Sequence, residues 1–181
     1  MAWRNMFSWI LLKRLAKCDR GAAAIEFAFI GGFMCVAMLN AADISIYIFD
    51  RMQVQNAAQM GAQAAWKTCD LQHVPATNKC ANLGTAVGAA VQSTALKEKV
   101  TLVASSPSEG YYCLNSVSSL QYVSDVNSKP ADCTGAGMPA LKPADYILVQ
   151  TTFAYAPLFP GLTVTSALGS TITKTAWMRM S

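Results

Sequence analysis

The stretch from Ala22 to Leu39 constrains this chain more than any other, because 18 consecutive residues carry a single charge, Glu26. As a helix the run is about 27 Å long, close to the roughly 30 Å hydrocarbon thickness of a bilayer, and it predicts one membrane span. A charge inside a span costs about 2.5 to 3.5 kcal/mol, and no basic residue within the run offers Glu26 a partner. Cleavage between Gly21 and Ala22 would create one, since the freed ammonium of Ala22, above all on a neighbouring subunit, lies at bilayer depth. Read this way, Gly21 and Ala22 form a processing site and Glu26 serves assembly. Small residues at Ala24, Ala28 and Gly32 recur every four positions and let helix backbones approach closely in lipid, although ordinary span composition yields the same stripe.

Charge divides the chain at the same place. The first 20 residues hold Arg4, Lys13, Arg14, Lys17 and Arg20 against Asp19, a net of +4, whereas residues 22–181 hold nine basic and nine acidic side chains. A basic segment just before a span stays cytoplasmic and sends the C-terminal part outward. The excess charge belongs to the leader, so the remainder has no basic patch to neutralise phosphates, and no nucleic-acid role is expected. An ordinary secretory signal places its apolar region before the cut; here the apolar run follows it and is retained as an anchor. Cys18 follows Leu15, Ala16 and Lys17, a poor lipoprotein box because Lys17 stands where a small residue belongs.

A glycine followed five residues later by a glutamate resembles the prepilin cleavage motif, and the continuation through Ala24, Ile25, Glu26, Phe27, Ala28, Phe29 and Ile30 resembles the TadE-like minor pseudopilins of the tight-adherence (Tad/Flp) type IV pilus system. The Ala-rich segment 50–62 and the endings 155–160 and 175–179 are also similar to that family, whereas residues 70–140 carry no such likeness. The resemblance implies cleavage after Gly21 by a membrane aspartic prepilin peptidase, with Glu26 and Phe27 as the matching downstream positions. It implies a pilus-assembly role without a cofactor. The partners would be the peptidase, other major and minor pilin subunits and the Tad inner-membrane assembly platform. The expected location is the bacterial inner membrane, single-pass, with the N-terminus cytoplasmic, the C-terminal domain periplasmic, and the subunit able to enter the extracellular pilus. The alternative is an uncleaved, signal-anchored envelope binding protein or adhesin, which leaves Gly21 and Glu26 without a task.

The expected fold is α+β. Beyond Asn40 and Asp43, which mark the outer end of the span, helical sequence continues to about Trp66, and Ala57, Ala58, Gly61, Ala62, Ala64 and Ala65 offer a small-residue surface suited to close packing on a sheet. Strong helix propensity accounts for part of that alanine content. The partition is a basic leader at 1–21, a transmembrane helix at 22–49 and an extracytoplasmic pilin-like domain at 50–181 whose first helix continues the span. About 115 residues follow Trp66, enough for one small core. Residues 82–96 predict a second helix, with Asn82 at its N-cap and Leu83, Val87, Ala90 and Val91 on one face. Strands are predicted at 100–104, 111–114, 120–123 and 146–155, then at 162–166 and 170–178 as an antiparallel pair joined near Gly169. A Pro/Gly-rich loop fills 129–143.

Cysteines divide by compartment, with Cys18 in the leader and Cys35 in the span. Cys69, Cys80, Cys113 and Cys133 fall in the exported part, an even set in an oxidising setting, so two disulfides are expected. Three connectivities are possible, and the sequence neighbours 69 with 80 and 113 with 133 are favoured. No Cys-x-x-Cys occurs and His73 is the only histidine, which argues against zinc. The same single histidine would have to serve any Ser-His-Asp or Cys-His arrangement, and Asp70, Glu98, Glu109, Asp125, Asp132 and Asp145 are read as solvated surface carboxylates. Gly31 with Gly32, and Gly135 with Gly137, lack the strand, helix and lysine of a phosphate loop. The chain is an interaction protein rather than an enzyme.

Overall fold

A computed structural model describes residues 19–69 and 71–180. Most of the leader, with Cys18, and also Asp70, lies outside the described residues. The architecture is α+β: one long apolar helix, then short helices, then a five-stranded antiparallel sheet. The long helix, α1 (Asp19–Thr68), runs 50 residues without a break, about 75 Å. Two short helices follow, α2 (Ala76–Lys79) and α3 (Leu83–Val91). The strands are β1 (Val100–Leu102), β2 (Ser108–Leu114), β3 (Leu120–Asp125), β4 (Ala144–Ala154) and β5 (Thr171–Arg179).

The chain forms two compact units. One comprises residues up to Ser45 together with Pro157–Ser166; the other comprises Ile46–Ala156 and Ala167–Ser181. In the second unit β4 is the central strand. One of its edges pairs with β5 along its length, from Tyr146 opposite Arg179 to Ala154 opposite Thr171. The other edge is shared, with β2 opposite residues 144–148 and β1 opposite residues 151–153. Burial along β4 alternates, so Asp145, Ile147, Val149, Thr151 and Phe153 face the core. On the opposite face Tyr112 meets Tyr122, Tyr146 and Trp177 edge to face, with ring centroids 4.9 to 6.0 Å apart.

The second half of α1 covers the buried face of the sheet. Val54, Ala57, Ala58, Gly61, Ala62 and Ala65 are buried there with Val87, Val91, Val100, Ile147 and Val149. The small side chains allow an approach close enough for the Thr151 hydroxyl to donate to the Val54 carbonyl at 3.1 Å. Gly61 is the tightest point: a Cβ there would stand 2.9 Å from Cγ atoms of both Val149 and Val91.

Disulfides Cys69–Cys80 and Cys113–Cys133 close the loop after α1 and the long loop before β4. The first of these loops is also tied to the sheet by Glu109 of β2. Pro75 precedes α2 and offers no side-chain cap; Glu109 instead accepts from the Ala76 and Thr77 amides at 2.8 and 2.7 Å and from the Thr77 hydroxyl at 2.7 Å. A carboxylate from a neighbouring strand thus satisfies the orphan N–H groups of the turn.

Three expectations are corrected. Residues 162–166 do not form a strand; a 3-10 turn spans Val164–Ala167, because Thr163 and Thr165, whose alternation suggested a strand face, both direct their hydroxyls to one carboxylate of α1. Asn82 occupies the N-cap position of α3, which ends at Val91, without a side-chain cap hydrogen bond. Asp145 is not a solvated surface carboxylate: it is 1% exposed, and neither of its oxygens receives a hydrogen bond. Burial raises its pKa to about 7, helped by the nearby Glu109 carboxylate and opposed by Lys129.

Gly61→Ala and Gly84→Ala should therefore differ in sign. Alanine in a helix interior gains about 1 kcal/mol over glycine, which Gly84→Ala realises because nothing lies within 4 Å of its new Cβ. At Gly61 an overpacking cost of about 1 to 3 kcal/mol exceeds that gain. Urea unfolding of the full chain in detergent should show a lower midpoint for Gly61→Ala and a higher one for Gly84→Ala. Asp145 sets a pH dependence. Its pKa in the fold lies above the unfolded value of about 3.9, so its stabilising contribution is complete below about pH 4 and is lost as pH rises through about 7. Asp145→Asn keeps the shape of the side chain without an ionisable proton. Its unfolding midpoint should gain on that of the unaltered chain between pH 4.5 and pH 8; an unchanged gap would contradict the assignment.

Candidate functional site

The candidate functional surface is the outer half of α1. Residues 23–30 and 32–38 are exposed, including Ile25, Phe27, Phe29, Ile30, Phe33, Met34, Val36 and Met38. Among the described residues of this half, Asp43 is the first that is buried. An apolar helix exposed on every side needs a non-aqueous environment from outside its own chain. By length and composition α1 is able to cross a membrane. Together with the disulfides of the C-terminal part, it suggests a membrane-anchored protein with an extracytoplasmic domain.

Gly21 and Ala22 lie within the helical segment, and Glu26 and Phe27 are exposed one turn further on. Ala24, Ala28 and Gly32 form one exposed ridge, and no atom approaches within 4 Å of where a Gly32 Cβ would stand. At 3.6 residues per turn Glu26 lies about 160° round the axis from Ala28. Carboxylate and ridge therefore lie on different sides of the helix. Cys35 is a free, exposed thiol on the same segment, and His73 is exposed on the 3-10 turn Leu71–His73. Among the described residues no three His, Cys, Asp or Glu side chains cluster as a metal site.

At the outer end of this segment stands a polar cluster that the sequence reading took only as a boundary. Asp43 is fully buried. One of its carboxylate oxygens accepts from the Leu158 amide at 3.0 Å, and the other accepts from the hydroxyls of Thr163 and Thr165. One turn earlier, the Asn40 side chain accepts from the Val164 amide at 2.9 Å and donates to the Val36 and Leu162 carbonyls at 2.9 and 3.4 Å. The segment Pro157–Ser166 is thereby fastened to the helix. An aspartate within otherwise helical, weakly charged sequence was the one signal of it; its partners lie 115 to 122 positions away.

Residues 21–63 match the family model described as TadE-like protein. This segment is TadE-like. No match was found among curated proteins or among solved structures. The match covers 43 of the 181 residues and suggests a Tad pilus-associated, pilin-like protein. The matched stretch includes both the exposed half of α1 and much of the small-residue face packed on the sheet.

Removing the Asp43 carboxylate leaves the Leu158 amide without its acceptor, a loss of about 1 to 3 kcal/mol if it stays buried, and leaves the Thr163 and Thr165 hydroxyls only each other at 2.9 Å and the Phe159 carbonyl at 3.3 Å. In Asp43→Ala, amide hydrogen exchange across 157–166 should accelerate at least tenfold while β4 and β5 keep their protection. Unchanged exchange in that segment would show that Asp43 does not hold it.

Proposed function

We propose that this chain is a minor pseudopilin of a Tad-type pilus. It is held in the inner membrane by α1 with its leader in the cytoplasm, cut between Gly21 and Ala22 by a prepilin peptidase, and then joined to other pilin subunits on the assembly platform. The observation that carries this reading is the outer half of α1: an exposed apolar helix with one carboxylate, inside a TadE-like match that begins at Gly21. Such a helix suits lipid before assembly and neighbouring pilin helices after it. Glycine before the cut presents no side chain to a peptidase pocket, and it eases unwinding of the helical segment that contains the bond. Leader removal takes away the excess positive charge and leaves nine basic and nine acidic side chains.

Glu26 then has a partner. The new ammonium of Ala22 on a neighbouring subunit pairs with it at bilayer depth, where an uncompensated charge costs several kcal/mol. The ridge of Ala24, Ala28 and Gly32, on another side of the helix, is left to pack against a second neighbour.

Cleavage and assembly should separate in variants expressed in the native membrane. By intact mass, Gly21→Leu should accumulate as precursor, whereas Glu26→Gln should be processed to a chain beginning at Ala22. Glu26→Gln should nevertheless lose co-purification with pilin partners. A helix-terminus effect alone, worth about 0.3 to 1 kcal/mol, would leave partner recovery near normal. Processed Gly21→Leu, or normal piliation in Glu26→Gln, would refute the corresponding half of the proposal.

A further inference from the structure

The segment Pro157–Ser166 combines features that a water-exposed loop has no reason to combine. No charged residue occurs between Asp145 and Lys174. Leu158, Leu162 and Val164 are 57%, 64% and 58% exposed. Much of its backbone is provided for: Pro157 and Pro160 have no N–H, and five of the eight remaining amides are bonded as follows. Leu158 donates to Asp43 and Val164 to Asn40, Gly161 to the Ser166 hydroxyl, Leu162 to the Phe159 carbonyl and Ser166 to the Thr163 carbonyl. The hydroxyls of Thr163 and Thr165 turn inward to Asp43. Polar atoms point in and aliphatic side chains point out. Irregular backbone is tolerated against hydrocarbon only when its hydrogen bonds are met within the protein.

Position completes the argument. Asn40 and Asp43, which hold the segment, come 18 and 21 residues after Ala22, about 27 and 32 Å along the axis, where a span of roughly 30 Å ends. We propose that Pro157–Ser166 is an interfacial foot: Leu158, Leu162 and Val164 insert into the outer-leaflet boundary of the bilayer beside α1, and the occupant of this apolar surface is lipid. Asp43 turns its carboxyl group away from the acyl region and onto the foot's donors. The foot fixes the depth of the helix, adding a second anchorage to a span that carries Glu26. This inference rests on the membrane-span reading of α1.

The test uses nitroxide accessibility in the full chain, reconstituted into phosphatidylethanolamine and phosphatidylglycerol vesicles, with Cys18→Ser and Cys35→Ser so that the only other cysteines are those of the two disulfides, which are retained. Labels are placed singly by Leu158→Cys, Leu162→Cys and Phe33→Cys, exposed positions whose side chains fill no packed space in the fold. Nonreducing peptide mapping verifies that Cys69–Cys80 and Cys113–Cys133 are intact. Collision with oxygen should exceed collision with a water-soluble nickel chelate several-fold at 158 and 162, as at 33. A nickel preference at 158 and 162 with an oxygen preference at 33 would overturn the foot and leave the span standing. Protection from both reagents at 158 and 162 would overturn lipid as the occupant in favour of a protein neighbour. Loss of the oxygen preference at 33 would overturn the span reading, and the foot with it.

Discussion

Side-chain size along α1 changes where its surroundings change, and the rest of the structure follows from that one constraint. Up to Met38 the helix carries Phe, Ile, Met and Val on its surface with nothing of its own chain against them. From Val54 to Ala65 the buried side chains are mostly alanine, and at Gly61 there is no side chain at all. Large apolar groups favour lipid or a neighbouring helix, where contact area sets the gain. Small ones let the helix axis settle onto β4 and α3, near enough for Thr151 to reach a helix carbonyl. The sheet is arranged to receive it: the alternation of β4 supplies Ile147, Val149 and Thr151 on one face, with β5 along one edge and β1 and β2 dividing the other.

Carboxylates in this chain are fastening points rather than reactive groups. Asp43 gathers an amide and two hydroxyls, Glu109 gathers two amides and a hydroxyl, and Asp145 is buried near Glu109, which helps to raise its pKa. The first two join segments remote in sequence. Donors converging on a buried carboxylate make it a strong, directional link, and the same convergence leaves little capacity for chemistry with a substrate. Glu26 differs from these three: it is exposed on an apolar helix, and the proposed function gives it a use outside the chain, in assembly.

The local elements were legible in the residues. An 18-residue run with one charge and an alanine-rich continuation without helix breakers produce the long helix, because backbone hydrogen bonding within the segment needs no distant partner. Alternating β-branched and aromatic residues marked β4 and β5 for the same local reason, since period-2 patterning matches a half-buried strand. The exposed positions Gly21, Glu26, Phe27, Ala24, Ala28 and Gly32 could be singled out because their oddity lies within one helix.

What the sequence left undecided depended on long-range pairing. Thr163 and Thr165 alternate as strand residues do, and only the presence of Asp43, some 120 positions earlier, turns that alternation into a fastened loop. Asp145 sits in a sequence context as polar as those of the surface carboxylates, and only its place on the inward face of β4 beside Glu109 raises its pKa. Hydrophobic period and helix propensity act over a few residues and can be read along the chain. The choice of partner for a buried polar group is made by burial, which desolvates the group and obliges it to find its hydrogen bond wherever the fold has brought a donor or acceptor.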